Sequence, residues 1–196
     1  MTVVLCGVAA DTGNVRPVPR VDADGRFEYV PIPEKTRDTG ETATYDTWPL
    51  RCRDGVAADF LTAITPDPSE GTTVRGGALR DWPLHHDPNF EALAYGEHRP
   101  GYVDRLRRLD PGDVVGFYAG LRRPDGERAH RHLIGYFTVE TVDVIPPDAS
   151  RKDAAAVFDD HPENAHAKRL GEHGDLYYHD PEFTERPRPV VVVPGR

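Results

Sequence analysis

Apolar residues alternate with small, polar or aromatic ones along two neighbouring stretches of the chain. DPGDVVGFYAGLR begins at Asp110 and RHLIGYFTVETVDVI ends at Ile145, with a short polar loop carrying Pro124, Asp125 and Gly126 between them. A period of two marks strands with one buried face, so the pair predicts a β-hairpin. On its first strand Val115, Phe117, Ala119 and Leu121 form one face, and Gly116, Tyr118, Gly120 and Arg122 the other. On the second, His130, His132, Ile134, Tyr136 and Thr138 fall together, opposite Leu133, Gly135, Phe137 and Val139. Two glycines flanking a tyrosine give up burial. They mark either a gap where a flat ligand packs, or bulges and bends of a barrel.

The same reading places the other elements. VVLCGVAA near the start is a first strand, and Asp24-Gly25 is a turn before a short strand from Phe27 to Ile32, ended by Pro31 and Pro33. Lys35 to Trp48 is polar and Thr-rich, the pattern of a surface loop. Asp54 can cap a helix from Val56 to Ile64, with Phe60, Leu61 and Ile64 at helical spacing. An irregular stretch from Thr65 to Arg99 carries Trp82, His85, His86, Asp87, Phe90 and Tyr95, a content that suits a functional loop. Pro100 opens a helix through Leu109, Ser150 caps one through Phe158, and Pro162 starts one that stops at Gly171. Asp175 to Tyr178 and Pro189 to Val193 are the last strands. Strands and helices do not alternate regularly, so the expected class is α+β with a mixed, mainly antiparallel sheet and short flanking helices.

A length of 196 residues fits a single domain spanning 1–196. Acidic residues outnumber Lys and Arg by 33 to 24, and Lys35, Lys152 and Lys168 are the only lysines. This balance resembles proteins of salt-rich cytoplasm, and a cytoplasmic, halophilic protein is expected. The net charge of −9 argues against counterion-driven binding to nucleic acid. Molar salt weakens that objection, because recognition then rests on stacking and hydrogen bonds. No basic leader precedes the first strand and no apolar run can span a bilayer, so no membrane partner is expected. Cys6 and Cys52 lack zinc-site or disulfide spacing. There is no phosphate-binding loop, dinucleotide fingerprint, nucleophile elbow or HExxH helix, and no motif names a cofactor.

The nine histidines gather as His85-His86, His130 with His132, His161 with His166, and His173 with His179, leaving one alone. In WPLHHDPNF, a proline and two aromatics surround His85, His86 and Asp87, the arrangement a shaped pocket for proton transfer needs. These three are the candidate catalytic residues. His130 and His132 have the spacing for joint metal ligation, but no flanking residues mark such a site and no metal is expected. Arg16, Glu34, Tyr45, Arg122 and His132 are candidates to orient a polar ligand, with Tyr118 and Tyr136 as stacking faces.

Taken in order, VVLCGVAADTG, DGRFEYVPIPE, TYD at Thr44 to Asp46, HHDPNF at His85 to Phe90, YGE at Tyr95 to Glu97, GDVVGFYAGLR, HLIGYFTV, HPENAH at His161 to His166 and DLYY at Asp175 to Tyr178 resemble the nucleotide modification associated domain 3 family. Its members occur in microbial and phage settings linked to nucleic-acid modification. They carry FGQ where this chain has Tyr95-Gly96-Glu97, and a tryptophan near Leu121. A looser similarity is to PUA-like folds of the ASCH and EVE groups, in which a PGDxVxFY strand and its hairpin close a small β-barrel around a modified base. The resemblance implies a nucleobase or nucleotide, in DNA or RNA, held in an aromatic and histidine-lined pocket and modified there. Two alternatives stay open: a noncatalytic reader of modified nucleic acid, and an interaction domain of a defence or repair complex.

Overall fold

The computed structural model describes residues 1–8, 13–123, 126, 128–169 and 189–196. The expected strand at Asp175 to Tyr178, the end of the helix expected to stop at Gly171, Pro124, Asp125, His173 and His179 lie outside the described residues.

Ten strands and four helices run in the order β1 (Val3–Gly7), β2 (Val15–Arg16), β3 (Ile32–Pro33), α1 (Ala57–Phe60), β4 (Ala63–Ile64), α2 (Gly77–Arg80), β5 (Leu84–His85), β6 (Ala94–Glu97), α3 (Pro100–Leu106), β7 (Val114–Arg122), β8 (Ala129–Thr138), β9 (Asp143–Ile145), α4 (Arg151–Asp159) and β10 (Val190–Pro194) among the described residues. They form a mixed α+β fold. One three-stranded sheet has the order β1-β7-β8, with β1 parallel to β7 and β8 antiparallel to it. A second has the antiparallel order β6-β10-β9, and β2-β4 and β3-β5 are short antiparallel pairs. The described strands do not close into the small barrel that the PUA-like resemblance implies. Strands β7 and β8 form the expected hairpin within the first sheet, and only the end of its second stretch, β9, passes into the second sheet.

Burial explains the sequence of each strand. Val4 and Cys6 of β1 face Val115 and Phe117 of β7, Val103 and Leu106 of α3, and Val191 and Val193 of β10 in one core. Val190 and Val192 of β10 point the other way, into a second core with Ile145 and with Ala154 and Phe158 of α4. A strand covered on both faces has no polar side to keep, hence its unbroken run of valines. Each fully buried Val is worth roughly 1.5–3 kcal/mol over exposure. A third core, around Tyr45, Leu61, Ile64, Leu79 and Leu84, carries β2, β4 and β5.

Several expected elements are shorter. The strand expected from Phe27 reduces to Ile32–Pro33, because Glu28 turns inward and accepts the Arg51 and Cys52 amides at 2.7 and 2.9 Å. The helix expected over Val56 to Ile64 makes one turn. Asp59, not Asp54, receives the Val56 amide, and Ala63 and Ile64 pair with β2 instead. Lys35 to Trp48 is not a surface loop throughout, since Tyr45 is fully buried and donates its hydroxyl to the Pro31 carbonyl at 3.1 Å. Pro100 and Ser150 start helices where expected, the first ending at Leu106 and not Leu109. Among the described residues Pro162 starts none, its segment making turns and a short 3-10 helix over Ala167–Arg169. Pro100 is the first residue of α3, and the Ser150 hydroxyl accepts the Asp153 amide at the start of α4.

One bulge alters β8. Phe117 opposes Gly135 while Tyr118 opposes Leu133, which leaves Ile134 as the extra residue. Beyond it the faces exchange. His132 and His130 lie opposite Ala119 and Leu121, and Tyr136, opposite Gly116, lies before the exchange.

Candidate functional site

His85, the last residue of β5, and His86, which follows it, point to opposite sides, as neighbours in extended chain must. His85 turns inward, and its Nδ1 lies 2.8 Å from Oε1 of Glu34, the residue that follows β3. The other Glu34 oxygen accepts Arg169 Nε at 2.6 Å. Burial alone would raise the Glu34 carboxyl, but His85 and Arg169 outweigh it and hold the group at about 2. Glu34 is therefore a fixed anion that anchors one edge of the His85 ring.

The other edge of that ring looks toward Asp87. His85 Nε2 is 3.7 Å from Asp87 Oδ2, and His166 Nε2 is 3.2 Å from the same oxygen. The Gly96 amide of β6 donates to the Asp87 carboxylate, at 3.1 Å to Oδ1 and 3.2 Å to Oδ2. Burial drives the Asp87 carboxyl up to about 7 against the lowering effects of His85 and this amide. Burial, reinforced by His85 and Arg169, pushes the His166 imidazole well below its ordinary range. His98 is lowered to about 2 by burial and by His166. His85 and His166 meet edge to face, with ring centroids 5.1 Å apart.

His166 reaches this position on a segment that is tied down along its length. The Asn164 side chain accepts the His166 amide at 2.9 Å, and Lys168 pairs with Glu41 and Glu163. The Lys168 carbonyl accepts the Gly40 amide at 2.6 Å. Strand β6 has to carry glycine opposite this segment. A Cβ at Gly96 would stand 2.2 Å from His166 Cδ2 and 2.8 Å from Asn164 Oδ1.

His85, Asp87, His166 and Arg169 line a cleft of about 590 Å³. Another part of its lining is built on Glu97, which accepts from the Tyr95 hydroxyl at 2.8 Å and from Arg99 Nη2 at 2.6 Å. Arg99 lies over the Tyr102 ring at 4.5 Å, the Tyr102 and Tyr118 hydroxyls are 3.3 Å apart, and Arg131 lies over the Tyr118 ring at 5.2 Å. The cleft thus combines a buried carboxylate between two imidazoles with two tyrosine–arginine stacks.

Of the residues the sequence singled out, His85, Asp87 and Tyr118 line the cleft and Glu34 stands behind His85. His86 does not join them. It points away from His85 and packs edge-on to Trp48 at 4.6 Å, where burial lowers its pKa. Tyr45 is a core residue, and Arg16 is exposed on β2 without reaching the cleft. The Arg122 side chain is also outside, and its backbone joins Pro19 and Val21. His132 turns its Nδ1 to the His130 carbonyl at 2.9 Å, so His130 lines the cleft in its place. Tyr136 is 66 % exposed and away from the cleft. The gap expected at Gly116 is filled by side chains, since a Cβ there would lie 2.8 Å from Leu5 Cδ2. Gly120, in contrast, does line the cleft.

Sequence reasoning missed His166, Arg169, Glu97, Arg99, Tyr102 and Arg131. HPENAH marked His166 only as one of a histidine pair, and His161 of that pair goes elsewhere, to Asp143 at 2.9 Å. No helix among the described residues is long and apolar enough to cross a membrane. No curated protein and no solved structure matches the chain. The family model described as nucleotide modification associated domain 3 matches residues 2–192, and the chain belongs to that family.

Proposed function

We propose that the protein binds a nucleotide or nucleobase in the cleft and modifies it by proton transfer through Asp87, with His85 and His166 on either side. The observation that carries this reading is the buried Asp87 carboxyl, raised to about 7, in a cleft also lined by Tyr102, Tyr118, Arg99 and Arg131. A carboxyl that titrates near neutrality can both accept and return a proton under ordinary conditions. Tyrosine faces suit a base, which stacks whatever its sequence, and guanidinium groups suit phosphate. The family's association with nucleotide modification supports the same choice of ligand. Glu34 contributes by orienting His85, and His86 has no part in the chemistry.

The test compares nucleosides by mass spectrometry from cells with the gene, without it, and with Asp87→Asn in its place, alongside calorimetry of nucleotides and short oligonucleotides in high salt. Loss of the same modified nucleoside in the deletion and the Asp87→Asn strain is the expected result. Binding without any change in nucleosides would mean a noncatalytic reader. Absence of binding would overturn the reading and leave an interaction domain.

A further inference from the structure

We propose that His85 Nε2, Asp87 Oδ2 and His166 Nε2 form a binding site for a divalent first-row transition-metal ion. Two of the side chains stand two residues apart, the third comes from a segment far along the chain, and their ligand atoms lie within 4.8 Å of one another. Ligands at about 2.0–2.1 Å from a tetrahedral ion stand roughly 3.3 Å apart. The two separations to Asp87 Oδ2, 3.2 and 3.7 Å, fall on either side of that value.

Hydrogen bonding around His85 points the same way. Its Nδ1 lies 2.8 Å from Oε1 of Glu34, a contact that leaves Nε2 as the nitrogen facing Asp87. A buried ring nitrogen and a carboxylate oxygen 3.7 Å apart, too far for a hydrogen bond, leave the separation that two ligands of one ion need.

The surroundings supply what metal ligands need. Glu34 on the far nitrogen of His85, and the Gly96 amide on Asp87, are contacts that fix a ligating ring and carboxylate in orientation. Arg169 in turn holds Glu34. All three ligating residues line the cleft, so an ion among them has its remaining positions open to water or to a bound molecule. Two imidazoles and one carboxylate, with no thiolate, suit zinc, cobalt, iron or manganese more than calcium or magnesium. The site uses the same cleft as the proposed nucleotide and the same three side chains as the proposed proton transfer, so a bound ion takes the place of the Asp87 proton, but it does not depend on nucleotide binding.

The experiment strips the full-length protein with a chelator and titrates it with Co²⁺ and Zn²⁺. One equivalent of Co²⁺ should bind with a visible d–d spectrum of nitrogen and oxygen coordination, and Zn²⁺ should displace it. His166→Ala should abolish the spectrum, Glu34→Gln should weaken binding about 10- to 100-fold, and His86→Ala should leave it unchanged. In the unmutated protein, paramagnetic Co²⁺ should broaden the His85 and His166 imidazole signals before those of His130 and His132, a readout that does not depend on a variant folding. Absence of stoichiometric binding, a spectrum untouched by His166→Ala in a folded variant, or broadening confined to His130 and His132 would overturn the site. Nucleotide titration of the metal-free protein separates the two proposals. If nucleotide fails to bind while Co²⁺ binds as described, only the proposed function falls.

Discussion

Arg169 Nε lies 2.6 Å from Glu34 Oε2, across 135 positions of sequence, and ties the segment that bears His166 to the strand pair that bears His85. Both side chains are nearly buried, at 9 % and 2 % exposure. Removing one partner of a buried pair leaves a charge without compensation, which costs about 3 kcal/mol or more. Arg169→Met should therefore lower the urea midpoint strongly. The double variant with Glu34→Gln should recover part of the loss, because the uncompensated charge is gone. A double variant as unstable as the sum of the singles would show that the two residues act independently.

Glycine at position 96 is required by what faces it. A Cβ there would stand 2.2 Å from the His166 ring, too close for any relaxation short of moving that segment. Gly96→Ala should cost about 1–3 kcal/mol, as overpacking does, and should shift the His166 imidazole signals. Gly101, in α3, has nothing within 4 Å of the same atom. Gly101→Ala should be neutral or stabilising by up to about 1 kcal/mol, as expected for glycine replaced within a helix. Equal melting temperatures for the two variants would contradict the packing described.

The two cysteines should react differently. Cys6 is fully buried in β1 and its thiol is pushed up to about 12, chiefly by burial, whereas Cys52 is exposed. A thiol reagent at pH 8 should label one equivalent of native protein, at Cys52, and a second only after denaturation. Peptide mapping that finds label on Cys6 in the native state would show that the first core opens readily.

Acid should act on the Asp67 turn. The Ser69 and Lys35 side chains donate to its carboxylate at 2.5 and 2.9 Å and, with Ser69 first, hold it at about 2. A pKa depressed on folding adds stability above the unfolded value, near pH 4, that disappears as pH falls toward about 2. Asp67→Asn should flatten the stability profile in that window and leave its shape near pH 7 unchanged. Parallel acid limbs for the two proteins would rule out the contribution.

What the sequence revealed was local. Ser150 and Pro100 signal helix starts by backbone chemistry confined to one turn, and both helices begin there. The alternation of β7 is likewise correct, because Val115, Phe117, Ala119 and Leu121 are all buried. Ile134 is as good a strand residue as its neighbours, so nothing announces it as the extra residue that exchanges the faces of β8. Tyr45 sits among threonines, and one buried ring leaves no period to read. The candidate site was half legible. HHDPNF drew attention to His85 and Asp87, but His166, Arg169 and Arg99 join them only through tertiary contacts between segments of unremarkable composition.

Tyr118 and Tyr136, the latter opposite Gly116, share one face of the hairpin but stand at different points along it, and this makes the two candidate stacking residues unequal. Tyr118 lines the cleft beneath Arg131, while Tyr136 stands exposed away from it. Stacking of one base on an aromatic ring is worth about 1–3 kcal/mol, roughly 5- to 150-fold in affinity. Tyr118→Ala should weaken nucleotide binding by a factor in that range. Since Tyr118 is only half-buried, its loss should change the melting temperature little. Tyr136→Ala should leave the affinity where it was. Calorimetry on both variants decides the matter: equal losses would spread the ligand along the hairpin face that the sequence pattern suggested, and a loss confined to Tyr136 would place it at the Gly116 end of that face, away from the cleft.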